Sequence, residues 1–272
     1  MSGYSRLIKN YFLLKRVSII IIVLFISIAF CSETKAQRQK VQNLKTYNQQ
    51  AYHFGFILAL NQMNYTVKTI DSLPFIRWTG AQLPEDPGLV NVDYAQILSI
   101  NSRATPGFTI GILGSLLLHQ YVDMRFSPSL SFGERILIYD VFTVKGNDSL
   151  RFTVDKSITS TLIEFPLDFK YRSKRLNNFG AYVLTGVKYT LDLASQKKAE
   201  QNSNTTTVKI NKHDISIDVG VGFDFYTQYF KFGVEAKMGY GLFNLIKKEG
   251  NLYTDSIESL HSKIFLLSFT FE

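Results

Sequence analysis

Apolar and polar residues alternate with a period of two in eight segments of the chain. They lie near Tyr52 to Thr66, Pro106 to Leu116, His119 to Phe132, Thr159 to Arg172, Asn178 to Leu191, His213 to Tyr226, Tyr229 to Tyr240 and His261 to Phe271. That period sends successive side chains to opposite faces of a strand, so the pattern predicts an all-β protein. The segment from His213 shows it best, with Ile215, Ile217, Val219, Val221, Phe223 and Phe225 on one face and Asp214, Ser216, Asp218, Gly220, Gly222 and Asp224 on the other.

The last stretch, Ser262 to Glu272, sets Phe265, Leu267, Phe269 and Phe271 against Ile264, Leu266, Ser268 and Thr270, and the sequence stops there. Such a strand needs a partner for its edge, and closure onto the first strand supplies one. An even number of strands allows antiparallel closure, and an aromatic-rich final strand is what outer-membrane barrels carry.

The connections alternate in length. Those around Leu117-Leu118, Ser173 to Asn177 and Thr227-Gln228 are short, whereas Val67 to Thr105, Gly133 to Ile158, Asp192 to Lys212 and Gly241 to Leu260 are long. Outer-membrane barrels have short periplasmic turns and longer outer loops, which predicts an eight-stranded antiparallel transmembrane barrel with both termini periplasmic.

Charge follows the same faces. Asp123, Arg125, Glu164, Asp168, Lys170, Lys188, Asp214, Asp218, Asp224, Lys231, Glu235 and Lys237 all fall on the polar side. A Lys or Arg on the lipid face near the midplane costs about 2–4 kcal/mol, so these residues are expected in the lumen, and Val221→Arg is expected to be worse than Ser216→Arg. An eight-stranded interior is just wide enough for side chains to fill. The expectation is a neutralising plug of ion pairs, with Gly186, Gly220, Gly222, Gly233 and Gly239 making room for long neighbours. A soluble barrel would reverse the faces; the loop rhythm and the chain's start argue for the membrane.

That start has Arg6, Lys9, Lys15 and Arg16 before the apolar run Val17 to Phe30, then Thr34-Lys35-Ala36. This reads as a signal peptide over residues 1–36, cleaved before Gln37, because a run of 14 residues is shorter than the roughly 20 needed by a spanning helix. A short periplasmic segment over residues 37–51 and a barrel domain over 52–272 follow. Cleavage removes five basic residues and one acid, so the net charge falls from +8 to about +4, which is not a nucleic-acid-binding signature. It also removes Cys31, the only cysteine, and Phe30 before it is a poor residue for lipoprotein processing. No low-complexity tract stands out beyond Asn202 to Thr207.

Candidate chemistry is sparse. His53, His119, His213 and His261 lie at strand starts, with no metal-binding spacing between them. His213-Asp214 with His261-Ser262 is the one pairing at the outer rim that resembles what a lipid-modifying barrel enzyme needs. Gly220-Val221-Gly222 lies inside a strand, so it is no phosphate loop. Trp78 and Leu83 to Gly88 mark the first long loop as a candidate contact surface. No catalytic, cofactor or metal residue is assigned, and the chain is expected not to be an enzyme.

The first strand, YHFGFILALNQMNY from Tyr52 to Tyr65, the long loop containing Trp78 and the closing LLSFTFE resemble the PorT family, called SprT in gliding bacteria. Members are outer-membrane barrels of the Bacteroidetes type IX secretion system. The resemblance implies a non-enzymatic component required for secretion and surface display of proteins with C-terminal sorting domains, and for gliding in gliding relatives. Implied partners are other type IX secretion components, beside outer-membrane lipids and lipopolysaccharide. The alternative is a generic barrel acting alone as a small-solute channel, adhesin or lipid-modifying enzyme.

Overall fold

Period-two alternation yields strands at each of the eight expected places. A computed structural model of the protein describes residues 41–86, 88–194 and 208–272. The expected signal peptide, Cys31 and the Asn202 to Thr207 tract lie outside the described residues. In chain order the strands are β1 (Tyr52–Thr69), β2 (Tyr94–His119), β3 (Val122–Phe126), β4 (Ser129–Lys145), β5 (Asp148–Arg172), β6 (Phe179–Asp192), β7 (His213–Tyr226), β8 (Lys231–Gly241) and β9 (Ile257–Phe271). β3 and β4 form one barrel strand interrupted at Pro128, which has no N–H for the ladder, and both pieces pair with β2 and β5. Every other neighbour follows chain order, and β9 returns to pair antiparallel with β1 from Phe56–Phe271 to Thr69–Ile257. The result is a closed antiparallel barrel of eight strands.

Its outer wall is apolar over a limited height. Tyr52, Phe54, Phe56, Leu58 and Leu60 of β1 are all exposed, and the outward positions then become Gln62, Asn64 and Thr66. Nine residues at about 3.4 Å each, tilted near 40°, give a band of roughly 20 Å, close to that of outer-membrane barrels. Cross-strand register aligns the band, placing Leu60 beside Phe108, Phe265 beside Met238 and Val221 beside Val183. Stacked rings mark the short-turn end, Phe56 on Phe271 at 4.8 Å and Phe232 on Phe269 at 6.2 Å.

Beyond the band the strands continue. β2 has 26 residues and β5 has 25, whereas roughly 9–11 cross a membrane. The expected loop from Gly133 to Ile158 is therefore a hairpin, closed at Lys145–Asp148 by Gly146 with φ at 58°, a conformation open to glycine. The first long loop likewise shrinks to residues 70–93, because β1 runs to Thr69 and β2 begins at Tyr94.

The strands continue past the apolar band, and there their inward face becomes apolar. Leu137, Tyr139 and Val141 of β4, Ile97 of β2 and Leu260 of β9 turn inward and pack with Trp78, Leu252 and Tyr253 from the connections. Burying each such side chain contributes about 1.5–3 kcal/mol. The long-loop end is thus built like a soluble domain on a membrane barrel. Asn251 caps the single turn α1 (Leu252–Asp255) by accepting from the Tyr253 and Thr254 N–H groups. Residues Gln42–Glu272 form one compact unit.

Candidate functional site

All twelve charged residues expected inside the barrel are buried there, and the register links them along its axis. Asn61 donates to Thr109 Oγ1 at 2.8 Å, Thr109 and Ser131 share a hydrogen bond of 2.7 Å, and Ser131 donates to Glu164 at 2.5 Å. Lys188 bridges Glu164 at 2.8 Å and Asp218 at 3.7 Å. Lys237 reaches Asp168 at 2.9 Å and Asp218 at 3.8 Å.

Toward the short-turn end, Arg125 holds Glu235 at 2.8 Å and approaches Glu272 at 3.9 Å. Lys231 takes Glu272 at 2.9 Å, Lys170 takes Asp224 at 2.7 Å, and Arg172 takes Asp123 at 3.0 Å. Tyr182 donates to Glu235 at 3.0 Å, while the Lys170 ammonium lies 3.6 Å from its ring centroid. Each buried charge is costly to desolvate, and eleven of the twelve are tolerated because an opposite charge lies within 4 Å, while Asp214 instead accepts from the Phe243 N–H at 3.3 Å.

Glycine makes the filling possible. A Cβ at Gly222 would stand 2.3 Å from Cζ of Tyr182, and one at Gly239 would stand 2.6 Å from Asp218. Four further charges buried in the barrel, Arg135, Arg172, Asp192 and Glu272, escape the sequence analysis. Arg135 falls in the stretch expected to be a loop, although the alternation Arg135, Leu137, Tyr139 signals a continuing strand; Glu272 extends the inward series Ser268, Thr270 by one step.

Both ends of the lumen are closed. At the short-turn end Tyr47 stacks on His53 at 3.7 Å and donates to Glu272 at 3.2 Å, while Asn43 bonds Asn178 and the Tyr226 carbonyl. At the other end the apolar core sits above the charges, and the gap among Arg135, Asp192, Asp214 and Ser262 holds about 10 Å³. That is about the room one water needs.

The barrel wall separates the residues of the rim pairing. Asp214 and Ser262 are buried inward, whereas His213 faces outward and shares a 2.6 Å hydrogen bond with the Tyr189 hydroxyl. His261 stacks on Tyr240 with centroids 5.9 Å apart, and its Nδ1 is 3.2 Å from the Gly241 carbonyl oxygen. His53 and His119 belong to the opposite end. Among the described residues no group of three or more His, Cys, Asp or Glu is arranged to hold a metal.

The first long loop is anchored by a few buried residues while Phe75 and Val90 stay exposed. Trp78 is buried and exchanges two 2.9 Å backbone hydrogen bonds with Ala95. Asp86 forms an ion pair with Lys156, whose ammonium lies 4.4 Å from the Tyr253 ring centroid. On the β4–β5 hairpin, hydrogen bonding from Arg151 holds the Asp140 carboxyl below its usual range.

Solved structures of similar architecture include Neisserial surface protein A, at 9% identity over 82% of this chain and 99% of that one, with a TM-score of 0.37. Another is the outer membrane protein OprG from Pseudomonas aeruginosa, at 14% identity over 82% and 97% of the two chains, with a TM-score of 0.34. No curated protein matches the chain. Residues 36–247 match the outer membrane protein beta-barrel domain family, and the chain belongs to that family of outer-membrane proteins.

Proposed function

We propose that this protein is a non-enzymatic component of a type IX secretion system, with a PorT-like role in exporting and displaying proteins with C-terminal sorting domains. In this reading both termini face the periplasm and the long-loop end faces outward. The supporting observation is the filled lumen: ion pairs occupy its middle, Tyr47 and Asn43 close one end and the core around Tyr139 and Tyr253 closes the other. A barrel without a passage acts through its surfaces, which suits an accessory component contacting larger partners. The sequence resemblance in β1 and β9 supplies the choice of system.

The separation of His213 and His261 from Asp214 and Ser262 weighs against the lipid-modifying enzyme, and the plug weighs against the small-solute channel. Deleting the gene in the native bacterium tests the reading. Mass spectrometry of medium and periplasm should find sorting-domain cargo retained inside and missing outside. Unchanged export would overturn the secretion role and leave a barrel acting alone.

A further inference from the structure

The long-loop rim carries an opening whose chemistry differs from the rest of the wall. Residues 209–213 run antiparallel to 243–247, joined by the Ile210–Ile246 bridge, the Asn211 N–H to Leu245 oxygen bond of 2.7 Å and the Lys247 N–H to Lys209 oxygen bond of 3.2 Å. These two segments form a concavity of about 550 Å³ lined by Asn211, Lys212, His213, Phe243, Asn244 and Lys247.

Its position is set by the strands. His213 is the outward residue next after Ile215, at the upper limit of the apolar band, and Leu242 and Phe243 beside it are about half exposed. Side chains of this kind, apolar and projecting at a membrane boundary, belong among the upper acyl carbons of the lipid.

Its charge is unbalanced. Lys209 is paired with Glu249 at 2.7 Å, and Lys248 donates to the carbonyls of Asp255 and Ile257. Lys212 and Lys247 have no carboxylate partner among the described residues, and no acid lines the opening. The nearest acid in sequence, Asp214, faces the lumen on the far side of the wall. Lys212 and Lys247, without an ion pair among the described residues, line this opening beside the half-exposed Leu242 and Phe243, a combination that matches a ligand carrying both phosphate and acyl chains.

We propose that this opening binds the phosphate of an anionic outer-leaflet lipid, with Lys212 and Lys247 as the charge partners and Leu242 and Phe243 against the acyl chains. This site rests on the outward orientation of the long-loop end but not on the secretion role, and its test contains no cargo.

The full mature barrel, purified in non-ionic detergent, is offered bisphosphorylated lipid A, its fully dephosphorylated counterpart or inorganic phosphate, and bound lipid is read by native mass spectrometry. Replacing Lys212 and Lys247 together with Gln should weaken retention of the phosphorylated lipid about thirtyfold, at about one favourable contact per lysine near an anionic surface. Retention of the dephosphorylated lipid should not change. Lys174→Gln, exposed at the opposite end, should match the wild type.

A heat-modifiable gel band reports that each variant is folded, and Lys247→Gln alone, in a connection outside the strands, is read if the double variant does not fold. Equal retention by wild type and variants overturns the proposal. So does equal binding of the two lipids, or full displacement of the lipid by millimolar phosphate, which would identify a site for free phosphate.

Discussion

Two adjacent residues of β7 face opposite solvents, so one strand can test the whole inside and outside assignment. Val221 is 55% exposed and sits in the wall between Val183 and Ala236, in the middle of the outward series Ile217 to Phe225. Val221→Arg puts a guanidinium near the bilayer midplane at a cost of about 2–4 kcal/mol, which lowers the folded ratio roughly 30- to 700-fold. Val221→Leu keeps the wall apolar and should stay within about 0.5 kcal/mol of wild type.

Gly222 faces the lumen, where any Cβ meets the Tyr182 ring that donates to Glu235 at 3.0 Å. Gly222→Leu adds no charge, yet overpacking there should cost about 1–3 kcal/mol. Refolding each variant into lipid vesicles and titrating with urea gives the differences from midpoints at constant slope. A Val221→Arg barrel as stable as wild type would refute the lipid-facing assignment, and a neutral Gly222→Leu would refute the filled lumen. Packing also removes the leniency that the strand pattern expects at Ser216. That residue is buried beside Lys188 in the register, so Ser216→Arg brings a second cation into an occupied space.

Glu235→Gln withdraws the carboxylate that accepts from Arg125 and Tyr182, and breaking a buried pair this way should destabilise by about 3–5 kcal/mol; adding Arg125→Met should recover part of it, and no recovery in the urea titration would argue against the pairing. Leu137→Ala, in the outer core, should cost about 2–5 kcal/mol locally, seen as protease cleavage of the β4–β5 hairpin while the heat-modifiable barrel persists. Tyr47→Ala should speed hydrogen exchange of the short-turn segment at least about tenfold, the equivalent of about 1.4 kcal/mol; unchanged protection would mean that its contacts with His53 and Glu272 do not hold the segment. His213→Ala and His261→Ala should leave cargo export intact, and a large loss at normal barrel abundance would revive the enzyme.

Features that depend on one strand at a time were legible in the order of residues alone. Period-two alternation assigned each face, because a membrane outside and a crowded polar inside leave an intermediate residue nowhere to go. That is why all twelve lumen charges, the glycines beside them and the outward aromatics of β9 were legible from Asp123 to Phe271. The eight alternating segments set the strand number, and the rhythm of short and long connections supported a membrane barrel.

Which charges meet depends instead on register and on distance across the lumen, so only the tertiary structure joined Arg125 to Glu235 and Lys188 to Glu164, 110 and 24 positions apart. The same holds for the outer end. Beyond the apolar band the inward face carries Leu137, Tyr139 and Val141 while Ile136 and Ile138 stay outward, so Arg135 to Lys145 has apolar residues on both faces and reads as loop to any rule that expects a polar lumen throughout. Pairing between β2, β4 and β5 turned that stretch into a hairpin over an apolar core. Finally, His213-Asp214 looked like a pair because neighbours in sequence are near in space; a strand puts them on opposite sides of its wall.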